Sequence, residues 1–217
     1  MGALLYLSTR TRPDISFAVS NVAKYCNKPL AKHWTAVKRI FRYLRGTSEY
    51  GIVYESNGDR KLVGYSDASW AGDQTDRKSV SGYCFFIGNS IVSWRSSRQT
   101  CVALSTAEAE FVALAGAAEE AVWIGKFFTE LGFAVDYPIL LNEDNQAAIR
   151  LAEYSRSTTK VKHIDIKYQF VNDLISKSYI NLRYCPSEQM TADVFTKGLS
   201  SEKFISLRSM LGVKAVV

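Results

Sequence analysis

The stretch that decides the fold is KLVGYSDASWAGD, which runs from Lys61 to Asp73. Side chains in a β-strand alternate between its two faces, so Asp67 shares one face with Val63 and Tyr65. Burying a carboxylate beside apolar side chains is costly unless the charge has a partner. The pattern therefore predicts a strand whose terminal acid has a chemical task.

Strands and helices alternate after this stretch. A hairpin is predicted over Ser81–Ser96 around Gly88-Asn89, then a long helix over Thr106–Leu131. The run PILLNED, Pro138–Asp144, is short and almost wholly apolar before its acids, which is typical of a strand buried on both faces. Further elements are predicted, in chain order, at Asn145–Glu153 (helix), His163–Ser176 (helix), Tyr179–Cys185 (strand), Thr191–Leu199 (helix) and Glu202–Leu211 (helix). This order predicts an α/β fold, a mixed sheet covered by helices.

A basic, helical segment precedes the strands. Asp14 is predicted to cap a helix over Ile15–Cys26, and a second helix is predicted over Ala31–Thr47. Residues 1–50 hold nine Lys and Arg against two acids, whereas the other 167 residues hold 18 against 19. So uneven a split favours a nucleic acid or another acidic partner. The turn-like run Glu55–Arg60 predicts a boundary behind this segment.

Composition narrows the class of protein. The chain has 217 residues, 47% of them hydrophobic, enough for one ordinary domain and an appendage. Its four cysteines form no C-x-x-C pair, which argues against a zinc site or a disulfide framework and favours a reducing compartment. No run approaches the roughly 20 apolar residues of a membrane span, and the start lacks the features of a signal peptide. We therefore expect an intracellular protein, in a cytoplasmic particle or the nucleus.

Two acids fall at predicted strand ends. Asp67 ends the first strand and Asp144 ends the buried one. Ligands of open α/β sheets gather at such ends, and two carboxylates side by side repel unless a cation lies between them. Mg²⁺ suits such a pair, since it is hard and needs few protein ligands. For either Asp taken alone, a turn residue or a helix cap, which Asp144 could be for the following helix, is the favoured interpretation.

A third acid is chosen between two glutamates in LSTAEAEFVAL. Ser105 and Glu108 fit a capping box, which leaves Glu110 without a capping task. Ala113 and Ala117 make the Glu110 side narrow enough to approach a sheet. A fourth candidate is Asp193, for which a solvated helical acid is the simpler interpretation.

Several motifs together resemble one family. YSDASWAGD, SWRSSRQTCVALSTAEAEFVAL, NEDNQAAI, KVKHIDIKYQF and TADVFTKGL look like the ribonuclease H domain of copia-type retrotransposon Pol polyproteins. STRTRPDISFAVS and HWTAVKRIFRYLRGT resemble the end of the reverse transcriptase just upstream. The resemblance implies a small helical segment and a ribonuclease H-like mixed five-stranded sheet flanked by helices. The implied domains are a helical remnant of the reverse transcriptase (thumb or connection-like) over residues 1–55, a ribonuclease H domain over 56–198, and a C-terminal helix and tail over 199–217.

The resemblance also implies a catalytic set, Asp67, Glu110, Asp144 and Asp193, holding two Mg²⁺ (or Mn²⁺) ions. By analogy, Asp67 bridges the metals, Glu110 and Asp144 bind one of them, and Asp193 binds the other. The implied activity is hydrolysis of the RNA strand of an RNA–DNA hybrid, leaving a 5′ phosphate. The rest of the reverse transcriptase is the implied protein partner.

Two departures from the family stand out. The loop CPSEQMTA, residues 185–192, lacks the histidine that many ribonucleases H carry before the last Asp. The chain also contains no Asp-Asp pair, so we expect no polymerase active site.

Candidate nucleic-acid-binding residues carry amide groups or positive charges: Asn145, Gln146, Arg95, Arg98, Lys160, Lys162, Lys38, Arg42 and Arg45. Asn145 and Gln146 can donate and accept hydrogen bonds, as reading of RNA 2′-hydroxyls requires, but they could equally be ordinary first-turn helix residues. Trp94 could stack on a sugar or base, although a strand tryptophan is more often part of the core.

Three hypotheses follow. The first is a metal-dependent, hybrid-specific endoribonuclease. The second is a catalytically silent nucleic-acid-binding module derived from a retrotransposon. The third is an integrase or transposase of similar fold; the helix-borne Glu110 after three strands, together with Asp193, favours the first over the third.

Overall fold

The computed structural model describes residues 1–54, 61–73, 76–153 and 162–216. The α-helices are α1 Gly2–Arg10, α2 Ser16–Ala23, α3 Ala31–Gly46, α4 Thr106–Glu130, α5 Gln146–Glu153, α6 Lys162–Ser176 and α7 Ser201–Met210. The strands are β1 Tyr50–Ile52, β2 Leu62–Ser69, β3 Val80–Ile87, β4 Ser90–Arg98, β5 Ile139–Glu143, β6 Ile180–Tyr184 and β7 Val213–Ala215. Short 3₁₀ helices cover Pro13–Ile15 and Thr191–Phe195. No described helix is both long and apolar enough to cross a membrane.

The central sheet has five strands in the order β4-β3-β2-β5-β6. β2 pairs antiparallel with β3 and parallel with β5, and β5 pairs parallel with β6. The predicted mixed five-stranded sheet flanked by helices is therefore confirmed. The hairpin turns at Gly88, whose φ of 58° lies in the left-handed region that glycine adopts without strain.

Helix α4 packs on one face of this sheet. Its inward side is rich in alanine, and Ala117, Ala118 and Ala121 are completely buried with Leu141 and Phe85 of the sheet. Small side chains let the helix lie close to β2. The packing around Gly64 of β2 is also close, since a Cβ atom added there would lie only 2.5 Å from Leu141 Cδ2. This close packing fixes α4 relative to the strand that carries Asp67.

The opposite face is covered by the C-terminal segment. Phe195, Leu207 and Leu211 form a second buried cluster with Cys84 and Ile91. The sequence predicted a helix over Thr191–Leu199, but the structure has only a 3₁₀ segment there. Its five residues are all buried, so packing against the sheet rather than helical periodicity determines their conformation.

The helical front has a small core of its own, built from Leu4, Ile15, Val19 and Ile40. The prediction that Asp14 caps α2 is wrong. Asp14 is instead buried in an ion pair in which Arg12 Nη2 lies 2.8 Å from Oδ2. The Arg12 guanidinium and the Tyr43 hydroxyl both donate to Asp14. These contacts are favoured over a capping role, because a buried carboxylate needs strong partners.

Contacts between distant parts of the chain join the front to the sheet. Trp94 Nε1 of β4 donates to the Ser8 carbonyl oxygen at 2.7 Å, so this half-buried tryptophan belongs to the packing of the front. β1 pairs antiparallel with β7, which brings residues 50–52 beside residues 213–215. The predicted boundary at Glu55–Arg60 lies outside the described residues, and the division into three domains stays a prediction.

Candidate active site

The parallel pairing of β2 with β5 brings two of the predicted acids together. Ser66 lies opposite Glu143 in the register, so Asp67 and Asp144 follow at the same end of adjacent strands. Asp67 is 1% exposed, whereas Asp144 is half-buried. The inference from strand ends is therefore correct for this pair.

Glu110 joins them from α4. The helix begins with Ser105 as its cap, whose Oγ accepts a hydrogen bond from the Glu108 amide at 3.1 Å. Glu108 also closes the turn, although it accepts from the Leu104 amide rather than from that of Ser105. Glu110 is consequently directed inward and is 4% exposed.

These three acids form a compact group. Asp67, Glu110 and Asp144 each offer a carboxylate oxygen, and the three atoms lie within 4.8 Å of one another. Among the described residues, no donor reaches the buried Glu110 Oε2. A buried oxygen without a donor and two neighbouring carboxylates are what a hard divalent cation would satisfy. The residues present therefore fit a metal of the magnesium type.

Burial and repulsion by neighbouring carboxylates raise the pKa values of Glu110 and Asp67. Burial, followed by the nearby Glu143, Asp67 and Asp144 carboxylates, raises the pKa of Glu110 to about 10. Burial also raises the pKa of Asp67 to about 6, although the Lys197 ammonium opposes this shift. Without a cation, Glu110 is therefore expected to hold a proton at neutral pH.

The fourth predicted acid, Asp193, lies close by but is neutralised differently. It sits in the 3₁₀ segment with no exposed surface, and Lys197 Nζ lies 2.7 Å from its Oδ1. Lys203 Nζ of α7 lies 2.6 Å from its Oδ2. Lys197 Nζ also lies 3.5 Å from Asp67 Oδ1, so one ammonium bridges the two acids. Asp193 thus faces the group of three across a lysine.

Lys197 is strongly held in this position. Burial opposes its charge, but Asp67 and Asp193 outweigh that cost and raise its pKa. Thr196, the preceding residue, donates a short hydrogen bond from Oγ1 to Asp67 Oδ2. Both residues belong to TADVFTKGL, so this motif supplies more of the site than its single acid.

Asp144 is oriented by the loop that lacks the family histidine. Ser187 Oγ donates to Asp144 Oδ2 at 2.8 Å. The residue that caps α5 is Asn145, whose Oδ1 accepts from the Ala147 and Ala148 amides at 2.9 and 3.1 Å. The alternative role of Asp144 as a helix cap is therefore not what the structure shows.

Sequence reasoning missed a fifth acid. Glu143 is fully buried, its Oε2 accepts from Ser66 Oγ at 2.8 Å, and burial raises its pKa. Its adjacency to Asp144 at the end of an apolar run was the available signal. Lys197 could also have been found, since it lies four residues after Asp193 on a segment predicted to be helical. Lys203 had no comparable local signal.

The candidate nucleic-acid contacts are distributed over the surface. Lys38, Arg42 and Arg45 are exposed on α3, and Gln146 is exposed at the start of α5. Arg95 is exposed on β4, whereas Arg98 is paired, its Nη1 lying 2.7 Å from Asp76 Oδ2 and 3.7 Å from Asp73 Oδ2. Lys160 and the side chain of Lys162 lie outside the described residues. The binding role of all these residues stays a prediction.

Comparison with known proteins identifies the family, although no family model matches the chain. It is 36% identical over 214 residues to the retrovirus-related Pol polyprotein from transposon TNT 1-94 of Nicotiana tabacum, and 36% identical over 216 residues to that from transposon RE1 of Arabidopsis thaliana. These matches cover 98% and 100% of the chain. The chain belongs to the copia-type transposon Pol polyproteins. It spans only 16% and 15% of the length of these two relatives.

Two further matches cover a smaller part of the chain. This chain is 48% identical over 124 residues to the secreted RxLR effector protein 161 of Plasmopara viticola. The match covers 57% of this chain and 87% of that protein. The crystal structure of LC11-RNase H1 in complex with RNA/DNA hybrid matches 63% of this chain and 94% of that chain, at 15% identity and a TM-score of 0.46. The family assignment does not depend on either of them.

Proposed function

We propose that this chain is the ribonuclease H portion of a transposon Pol polyprotein, hydrolysing the RNA strand of RNA–DNA hybrids with two divalent cations. The observation that carries the proposal is the convergence of Asp67, Glu110 and Asp144 within 4.8 Å. These acids come from two strands and a helix that are far apart in sequence. A purely structural role gives no reason to bring three mutually repelling carboxylates together, two of them buried.

The cation chemistry matches this group of ligands. When bound, two divalent cations would supply an activated water and stabilise the departing 3′ oxygen of an in-line displacement on phosphorus. Asp67 is the residue best placed to be shared, since it belongs to the group of three and is linked to Asp193 through Lys197. Glu110 and Asp144 would serve one cation and Asp193 the other.

Substrate choice would depend on groups around this centre. Asn145 uses its side-chain oxygen in the cap of α5, so its amide nitrogen remains as a donor toward 2′-hydroxyl oxygens. Gln146 is exposed next to it. The exposed basic residues Lys38, Arg42 and Arg45 of α3 offer charge for the phosphate backbone of the hybrid.

The protein partner would be the remainder of the reverse transcriptase. The chain spans about one-sixth of the length of its relative from Nicotiana tabacum. The motifs STRTRPDISFAVS and HWTAVKRIFRYLRGT in its front resemble the end of a reverse transcriptase. The division that we propose is a polymerase remnant over 1–55, a ribonuclease H domain over 56–198 and a helix and tail over 199–217.

Cleavage of a labelled RNA–DNA hybrid tests this function. We expect Mg²⁺-dependent cutting of the RNA strand, with no cutting of duplex DNA. Asp67→Asn should lower the rate by about 10³-fold or more while hybrid binding is retained, because an essential ligand is lost.

Asp173→Asn is the matched control, since Asp173 is an exposed acid of α6 whose ion pair, within the described part of the chain, is with its neighbour Lys177. Cutting of duplex DNA would indicate an integrase-like or transposase-like enzyme instead. Binding of the hybrid without any cutting would indicate the silent module.

A further inference from the structure

We propose that Lys203 of α7 is a positioning residue that orients Asp193 and the Ser187 loop for cation binding, an inference that rests on the proposed function. Lys203 Nζ donates to Asp193 Oδ2 at 2.6 Å and to the Ser187 carbonyl oxygen at 2.9 Å. Ser187 Oγ in turn donates to Asp144 Oδ2 at 2.8 Å. One ammonium therefore ties Asp193 to the loop that contacts Asp144.

The two lysines at Asp193 occupy different oxygens. Lys197 is at Oδ1 and also reaches Asp67, so it stands where a cation shared by these two acids would bind. Lys203 is at Oδ2 and contacts the loop instead. A cation between Asp67 and Asp193 would compete with Lys197 but not with Lys203. Lys203 can therefore keep its contacts while the centre is loaded.

The stability of α7 does not explain this lysine. Lys203 lies in the first turn of the helix, where the helix dipole disfavours a positive charge. The helix already has a cap, since Ser200 Oγ accepts from the Lys203 amide at 3.4 Å. The cost of placing a cation there is offset by the contact with Asp193.

The backbone beneath Lys203 is held firmly. Leu207, one turn further along α7, is completely buried in the cluster on the sheet face. Arg208 Nη1 donates to Tyr43 Oη at 3.2 Å and so connects the same helix to α3. A side chain on a helix anchored at two places can hold an acid within the tolerance that a metal site needs.

Binding of Mn²⁺ to the full chain without nucleic acid, followed by electron paramagnetic resonance, tests this role. Loss of a positive charge alone would tighten cation binding, whereas loss of orientation would weaken it. We expect Lys203→Met to weaken Mn²⁺ binding by about 10-fold or more, as losses of groups that orient metal ligands do. Lys203→Arg should restore most of the affinity, because its guanidinium can still donate to both oxygens.

Lys177→Met is the control, since Lys177 is an exposed lysine that pairs with Asp173 on α6. Hybrid cleavage by the same variants should show a fall in kcat with little change in KM for Lys203→Met.

Unchanged or tighter Mn²⁺ binding by Lys203→Met would overturn the inference while leaving the proposed function intact. If Lys203→Met does not fold, the folded Lys203→Arg decides, and weak binding by it would also overturn the inference. Absence of Mn²⁺ binding and of cutting in the unchanged chain would remove the proposed function itself.

Discussion

Glu110 and Asp193 are both buried acids of the same centre, yet their charges are treated in opposite ways. Asp193 has an ammonium group on each oxygen, at 2.7 and 2.6 Å. Glu110 has acidic neighbours, an oxygen that no described donor reaches, and a pKa raised by burial to about 10. The protein thus places two lysine side chains against Asp193, whereas Glu110 Oε2 has no described donor.

This difference shows where added cations would matter most. A carboxylate already paired with lysines gains little net charge compensation from a metal, whereas a repelling group of three gains a great deal. The Asp67–Glu110–Asp144 side should therefore dominate the response of the protein to divalent ions. The Asp193 side should dominate its stability without them.

The largest expected effect is on the Asp193 side. Asp193→Asn removes a buried charge that faces two lysines, and we expect it to lower the free energy of unfolding by roughly 3 kcal/mol. This is the low end for a broken buried pair, because both lysines are about a third exposed. Urea unfolding in the presence of a chelator measures it. A loss no larger than that of Asp173→Asn would show that the two lysines do not stabilise the apoprotein.

Divalent ions should produce the next largest effect, on the Glu110 side. A ligand at 100 times its dissociation constant stabilises a protein by about 2.7 kcal/mol. We expect Mg²⁺ to raise the melting temperature of the unchanged chain and to have much less effect on Glu110→Gln. Equal stabilisation of both proteins by Mg²⁺ would show that Glu110 is not a ligand.

The smallest expected effect, taken per pH unit, is the slope of folding stability against pH. With a folded pKa of about 10 and an ordinary value of 4.5, Glu110 keeps in the folded state a proton that the unfolded chain releases. Folding stability should therefore fall as pH rises from about 4.5 toward about 10, by at most about 1.4 kcal/mol per pH unit for one proton. Chelator-treated protein should show this slope in urea unfolding, and Glu110→Gln should be flatter. An identical slope in both proteins would contradict the raised pKa of Glu110.

The parts of the fold that were predictable depend on local patterns. Alternation in β2 and the apolar run of β5 identified both strands, because burial on a sheet leaves a period or a run in the sequence. Glu110 could be separated from Glu108 because a capping box is a local motif, and Ser105 does cap α4. Asp67, Glu110 and Asp144 were therefore accessible to sequence reasoning before their contact was known.

The parts that were missed depend on contacts between distant residues. Lys203 meets Asp193 only because α7 packs on the sheet, and Glu143 is satisfied by Ser66, which lies 77 positions earlier in the chain. Asp14 resembles a cap in sequence, yet its partners include Tyr43, 29 positions away. Local periodicity carries no information about such pairs.

The pairing of β1 with β7 has a consequence for the ends of the chain. Tyr50–Ile52 and Val213–Ala215 satisfy each other's backbone hydrogen bonds and form a two-stranded sheet by themselves. Truncating the C-terminus before Val213 would leave Tyr50–Ile52 as an unpaired edge, and removing the N-terminal segment would do the same to the C-terminus. The two short strands are thus structurally interdependent, and a shortened version of the protein would have to retain both or dispense with both.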